Sequence, residues 1–141
     1  MKNFSVRLGG WGDVGVQAGA IRLEVFVREQ KVPVQEELDE EDAHSVHALA
    51  CDARGNAIAT GRLLRDGHIG RMAVLESWRG RGVGSAVLLA LVNEARRRGH
   101  AQVELSAQCH ACDFYAAHGF VAEGGVYLDA GIEHRTMKRP L

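Results

Sequence analysis

From Ser45 onward the apolar residues recur at every second position, and that change of period constrains the fold more than any other feature of this chain. Ser45–Cys51, Ala57–Leu64 and His68–Leu75 read as three strands. The first two are joined by "DARGN". Asp66-Gly67 joins the next pair and tolerates the left-handed backbone that a tight hairpin requires. Strands connected this closely form an antiparallel meander. On either side of it the period is helical. Val14, Ala18, Ile21 and Val25 predict a helix over about Val14–Glu29, weakened by Gly15 and Gly19. Gly84, Leu88, Leu91 and Ala95, thickened by Val87 and Val92, predict a second. Arg96, Arg97 and Arg98 suit the negative end of that helix, and Gly99 stops it.

The remaining elements are shorter. Lys2–Leu8 predicts a first strand, Gln102–Ala107 another, Cys109–His118 a short helix broken at Gly119, and Phe120–Ala122 and Glu133–Lys138 two closing strands. The order β-α-β-β-β-α-β-α-β-β describes an α/β protein of the α+β kind, a mixed sheet with helices packed on it. Residues 1–141 suit one domain with a core of its own. A formal net charge of -1 gives no overall positive field, so neither nucleic acid nor an anionic membrane is an expected partner. The longest apolar run, Ala86–Val92, is far too short to span a bilayer. Arg7 and Asp13 interrupt the segment that a signal peptide would keep apolar. Cys51, Cys109 and Cys112 are too few for a disulfide framework, so a reduced, cytoplasmic protein is expected.

The stretch "RGRGVGSA", Arg79–Ala86, opens the second helix. A helix start carries unpaired N–H groups and partial positive charge, glycine lets an anion approach them, and arginine adds charge. A P-loop needs Gly-Lys-Ser/Thr, but Ser85 follows Gly84 directly. The dinucleotide fingerprint fails too: counted from Gly80 its last glycine is Ser85, and counted from Gly82 it is Val87. The plain alternative is a glycine-rich turn on a solvated arginine face. Arg79, Gly82 and Gly84 do meet a third pattern, Arg/Gln-x-x-Gly-x-Gly/Ala, which resembles the pyrophosphate loop of the GNAT superfamily of N-acetyltransferases. The resemblance extends further. "FYAAHGF" (Phe114–Phe120) is similar to the Phe-Tyr-x-x-x-Gly-Phe segment on the last helix of those proteins. "RLEVFVREQKVP", "LSAQCHACDFY" and "YLDAGIEHRTM" resemble the ElaA-like (YjcF-like) branch, except that Glu133 stands where that branch usually has proline.

The resemblance implies the GNAT acyl-CoA N-acyltransferase fold, acetyl-CoA as co-substrate, a small-molecule or peptide amine as acceptor, and direct attack in a ternary complex. A homodimer is one assembly it implies. Met72, Ala73 and Val74 would offer main-chain groups to the pantetheine arm, with the Val74 N–H toward the acetyl carbonyl. Arg79, Gly80, Arg81, Gly82, Val83, Gly84 and Ser85 would surround the pyrophosphate, mainly through backbone N–H groups. Tyr115 matches the family's general acid, and a phenol of pKa about 10 is a sensible proton source for a leaving thiolate, although a tyrosine packed under the sheet would look the same. For the base, Glu29, His110 and His134 stay open beside a water chain; histidine has the advantage of titrating near neutral pH. Gln108 would bond to the cofactor or cap the helix that follows.

Other readings compete. Cys109-His-Ala-Cys112 sits where thiol oxidoreductases place a redox pair. Against that reading, only 29 residues follow Cys112 and no proline lies near, and no four ligands assemble for a metal. A module that binds acyl-CoA without turnover is compatible with the same motifs. "EELDEED" places six carboxylates in seven positions, read as a solvated loop or as a negative lip that attracts an ammonium substrate.

Overall fold

A computed structural model describes residues 3–37 and 39–141; Lys2, the expected start of the first strand, lies outside them. Among the described residues there are seven strands: β1 (Phe4–Gly9), β2 (Val46–Asp52), β3 (Ala57–Leu63), β4 (His68–Val74), β5 (Gln102–Gln108), β6 (Val121–Asp129) and β7 (Ile132–Pro140). They form one sheet in the order β1-β2-β3-β4-β5-β7-β6. Every neighbouring pair is antiparallel except β4 and β5. The helices are α1 (Trp11–Arg22), α2 (Val34–Glu37), α3 (Val83–Arg97) and α4 (Cys112–Ala116). None of the described helices is long and apolar enough to cross a membrane.

Strand alternation sends neighbouring side chains to opposite faces, and the two long helices each cover one of them. Leu49 of β2 and Ala73 of β4 pack with Val14, Ala18, Ile21 and Val25 on the α1 side. Ala48 and Ala50, their neighbours on β2, pack with Val87, Leu88 and Leu91 of α3. The apolar stripes read from the sequence are therefore the two cores.

Three elements depart from expectation. The first helix begins at Trp11, and its last turns, Leu23–Glu29, wind as a π-helix rather than continuing the α-helix to Glu29. β6 is nine residues long instead of the expected three, and nearly all of it is exposed, so it carries no alternation to read. The acidic segment is neither a solvated loop nor simply a lip. It folds into α2 and a 3-10 turn, Glu40–His44, and turns Glu37 and Asp42 inward to 4 % exposure.

Those carboxylates meet buried arginines. Arg22, at the end of α1 and 1 % exposed, donates from Nε to Glu37 and from Nη1 and Nη2 to Asp42 at 2.8 and 3.0 Å. Arg62 of β3 donates to both oxygens of Asp39 at 2.7 Å and to Asp42 Oδ1 at 2.9 Å. The Nε2–H of His47 donates to the Asp42 carbonyl at 2.9 Å, and burial pushes this imidazole below its usual range. The polar cluster pins Glu37, Asp39 and Asp42 against the sheet, next to the cleft described below.

Candidate active site

β4 and β5 pair through two positions, His68 with Glu104 and Ile69 with Leu105, and then run on to Val74 and Gln108 without pairing to each other. A bulge begins where they part. Across from β4, the single residue Gly61 stands against both Arg71 and Met72, because Arg62 pairs with Gly70 and Thr60 with Ala73. Glycine is required there: a Cβ on Gly61 would come within 2.6 Å of Met72 Sδ and 3.0 Å of Leu91. The gap between the strands holds a cavity of about 750 Å³, walled by β4, β5, the start of α3, α4 and the turn between β6 and β7.

At the cavity wall α3 begins at Val83, with Gly82 as its N-cap at φ 81° and no side chain capping the helix. An L-residue with a side chain rarely adopts that angle, so the turn depends on glycine. The first helical amides have no intrahelical acceptor, which leaves an anion site made of backbone. Gly80, Gly82, Val83, Gly84 and Ser85 all line the cavity, and the Ser85 hydroxyl pairs with His118 Nε2 at 2.9 Å.

Tyr115 of α4 reaches the same cavity. It is 9 % exposed, between Phe114 and Phe120, and its hydroxyl has no hydrogen-bond partner among the described residues. Burial, followed by the neighbouring Cys112, pushes the phenol up to about 12. His134 of β7, 8 % exposed, also lines the cavity and stands across the ladder from Gln108. Its Nδ1–H donates to the Ile132 carbonyl at 2.7 Å, since a carbonyl can only accept. That bond fixes the tautomer and leaves Nε2 as the acceptor of the neutral ring. Tyr127 stacks on the imidazole at 6.0 Å, and its hydroxyl is tied to that of Ser106.

The structure separates the other sequence candidates. Met72, Ala73, Val74, Arg79, Gln108 and His110 line the cavity. Glu29 does not: Arg79 Nη2 holds its carboxylate at 2.9 and 3.0 Å, while Arg79 Nε donates to the Val74 carbonyl at 3.0 Å. Arg79 thus clamps the end of β4 to the π-helical turn. Arg81 lies over the Trp78 ring at 4.8 Å and is not part of the cavity wall. The Gln108 side chain exchanges two amide hydrogen bonds with Gln30, at 2.8 and 3.1 Å, and so ties the end of β5 to the residue that closes the π-helical turn. All three cysteines are free. Desolvation and Cys112 push the Cys109 thiol up, the opposite of what a redox nucleophile needs.

Glu36, from the acidic run read as a possible negative lip, lines the cavity, and sequence reasoning missed Arg71, Phe26 and Asp129 on the same wall. Nothing local announces them, because the bulge, the π-helical turn and the β6–β7 turn bring them together. The buried Arg22 did leave a trace: it lies four residues after Ala18, on the apolar stripe of α1.

The comparisons with known proteins agree with this geometry. Residues 13–141 match the family described as the acetyltransferase (GNAT) domain. YjcF of Bacillus subtilis (strain 168), described as an uncharacterized N-acetyltransferase, is 39% identical over 123 residues, which are 84% of this chain and 87% of that protein. An acyl-CoA N-acyltransferase from Pseudomonas aeruginosa superposes with a TM-score of 0.85 at 33% identity, covering 96% of this chain and 99% of the other. Escherichia coli ElaA superposes with a TM-score of 0.87 at 26% identity over 96% of this chain and 99% of its own. Matched from Asp13 to its last residue and superposing on ElaA over nearly its whole length, the chain belongs to the GNAT acetyltransferase family, on its ElaA/YjcF-like branch, and the chemistry of that family is acyl transfer from acyl-CoA.

Proposed function

We propose that residues 1–141 act as one catalytic unit that transfers an acetyl group from acetyl-CoA to a small-molecule or peptide amine, by direct attack in a ternary complex. One observation carries this reading: a single cavity contains the unpaired edge of β4, the uncapped start of α3 and the unpartnered Tyr115 hydroxyl. These fit the three parts of an acyl-CoA. An amide-bearing arm finds main-chain partners along β4, a diphosphate finds the amides of Gly82–Ser85, and a sulfur finds a donor. Three unpaired thiols suit a reducing cytoplasm.

Acetyl-CoA supplies an activated thioester. The chain's groups do the rest. The N–C bond forms as the C–S bond breaks, and the proton of the attacking nitrogen passes to His134 Nε2, directly or through water. The Val74 N–H is the donor for charge on the carbonyl oxygen. A phenol held near 12 stays protonated at every physiological pH. Complete transfer to a thiolate of pKa about 8.5 is uphill, so Tyr115 stabilises the departing sulfur mainly by donating a hydrogen bond.

Calorimetry with acetyl-CoA, together with thiol release across a panel of amines, tests the reading. The wild type should bind and release thiol only when an amine is present; binding without release would mark a sensor. Gly82→Val should weaken binding on the order of 100-fold, because a β-branched residue at φ 81° must rebuild the turn that presents the amides. Unchanged affinity would remove the diphosphate from this site. His134→Gln should lower kcat roughly 100-fold. If kcat is unchanged, the base lies elsewhere.

A further inference from the structure

Arg71 is a cavity residue that the reaction above does not use. It stands in the bulge of β4 at φ 50°, a left-handed angle that an arginine keeps only where its surroundings enforce it. Its side chain lies against the cavity wall that it shares with Glu36 and Glu37.

The partners of this cation are poor. Arg22, Arg62 and Arg71 share Glu37, Asp39 and Asp42, and the first two hold the close contacts. Arg71 Nη2 reaches Asp39 Oδ2 at 3.2 Å, an oxygen that already accepts from Arg62 at 2.7 Å. The same Nη2 makes two longer bonds to main-chain carbonyls, Glu36 at 3.4 Å and Glu37 at 3.2 Å. Glu37 Oε1 lies 3.9 Å from Nε, beyond hydrogen-bond reach, and Arg22 already binds it. Nε is buried without a hydrogen-bond partner, and Nη1 has none among the described residues. Desolvation, followed by repulsion from Arg62, disfavours the charged form. A cation with no close carboxylate of its own, on the wall of a ligand cavity, is matched by an anionic ligand group. The cavity also presents the opposite charge: Glu36 and Asp129 are exposed, with no ion pair to any described residue. Together these groups suit a ligand that carries both signs.

We propose that the acceptor amine is zwitterionic, an amino acid or a peptide with a free carboxylate, and that this carboxylate pairs with Arg71. Glu36 and Asp129 draw in the ammonium group, which then loses its proton near His134. The inference rests on the acetyl-transfer reading of the same cavity.

The test uses amino acids of increasing amine-to-carboxylate spacing, each against its own carboxamide, at saturating acetyl-CoA with thiol release as the readout. At least one acid should exceed its amide by roughly tenfold or more in kcat/KM, through KM. Arg71→Gln should bring that ratio toward one, and Arg71→Lys should restore part of it, which a purely structural arginine would not do. A wild-type ratio near one across the series overturns the inference and leaves acetyl transfer standing. If no amine is acetylated, equilibrium binding of the same acid–amide pairs, with and without acetyl-CoA, decides by the same ratio. If Arg71→Gln does not fold, the wild-type ratio and Arg71→Lys decide.

Discussion

Tyr115→Phe should lower kcat by about 100-fold to 1,000-fold while leaving the affinity for acetyl-CoA within about threefold of wild type. The substitution removes one oxygen and keeps the ring between Phe114 and Phe120, and no described residue loses a hydrogen bond. The folded protein should therefore be unaffected, and the whole loss should appear in turnover. The pH dependence gives a second check. With the phenol near 12, the wild-type profile should show no alkaline fall attributable to tyrosine below about pH 11. Steady-state kinetics on amine-dependent thiol release, paired with calorimetry, reads both. A variant with near-normal kcat would make Tyr115 a packing residue.

Asp42→Asn should cost about 3–5 kcal/mol of folding stability, a large share of what a domain of this size has. Asp42 accepts from Arg22 at 2.8 and 3.0 Å and from Arg62 at 2.9 Å, so its loss leaves two buried guanidinium groups short of one charge. Glu40→Gln, in the same acidic run but exposed, should change stability by less than about 0.5 kcal/mol. Acid acts on the same cluster. The Arg62 hydrogen bonds lower Asp39 to about 2, with its burial opposing them, and at Asp42 the arginines outweigh a desolvation that raises its pKa. Both carboxyls are more acidic folded than unfolded. Their contribution is therefore complete above about pH 4 and is lost as the pH falls through the folded values, toward about 2 for Asp39. Urea unfolding from pH 7 down to pH 2 should show a steep fall over that window, flattened in Asp42→Asn. A loss below about 1 kcal/mol at pH 7 would mean that Arg22 and Arg62 do not depend on this carboxylate.

What the chain reveals as text follows from how local each signal is. The Asp66-Gly67 hairpin, the stripe of α3 and the glycine run before it are decided by residues a few positions apart, and β3, β4 and α3 appear where those signals place them. β6 was illegible beyond its start because both of its faces meet solvent, so Glu123–Asp129 has no reason to alternate. The acidic run misled for the opposite reason. Its carboxylates look solvated until Arg22, fourteen or more residues earlier, and Arg62, twenty or more later, are folded against them. The site divides in the same way. Tyr115 and Gly82–Ser85 belong to contiguous motifs, whereas Arg71 gains its meaning from a bulge that only the pairing with Gly61 creates.

The seam between β4 and β5 has a consequence for the molecule as a whole. Two rungs fasten one half of the sheet to the other along that line. On the acyl-CoA reading proposed above, an elongated guest lying in the gap would supply the missing rungs, so each binding event would also mend the sheet. Occupancy and rigidity would then rise together.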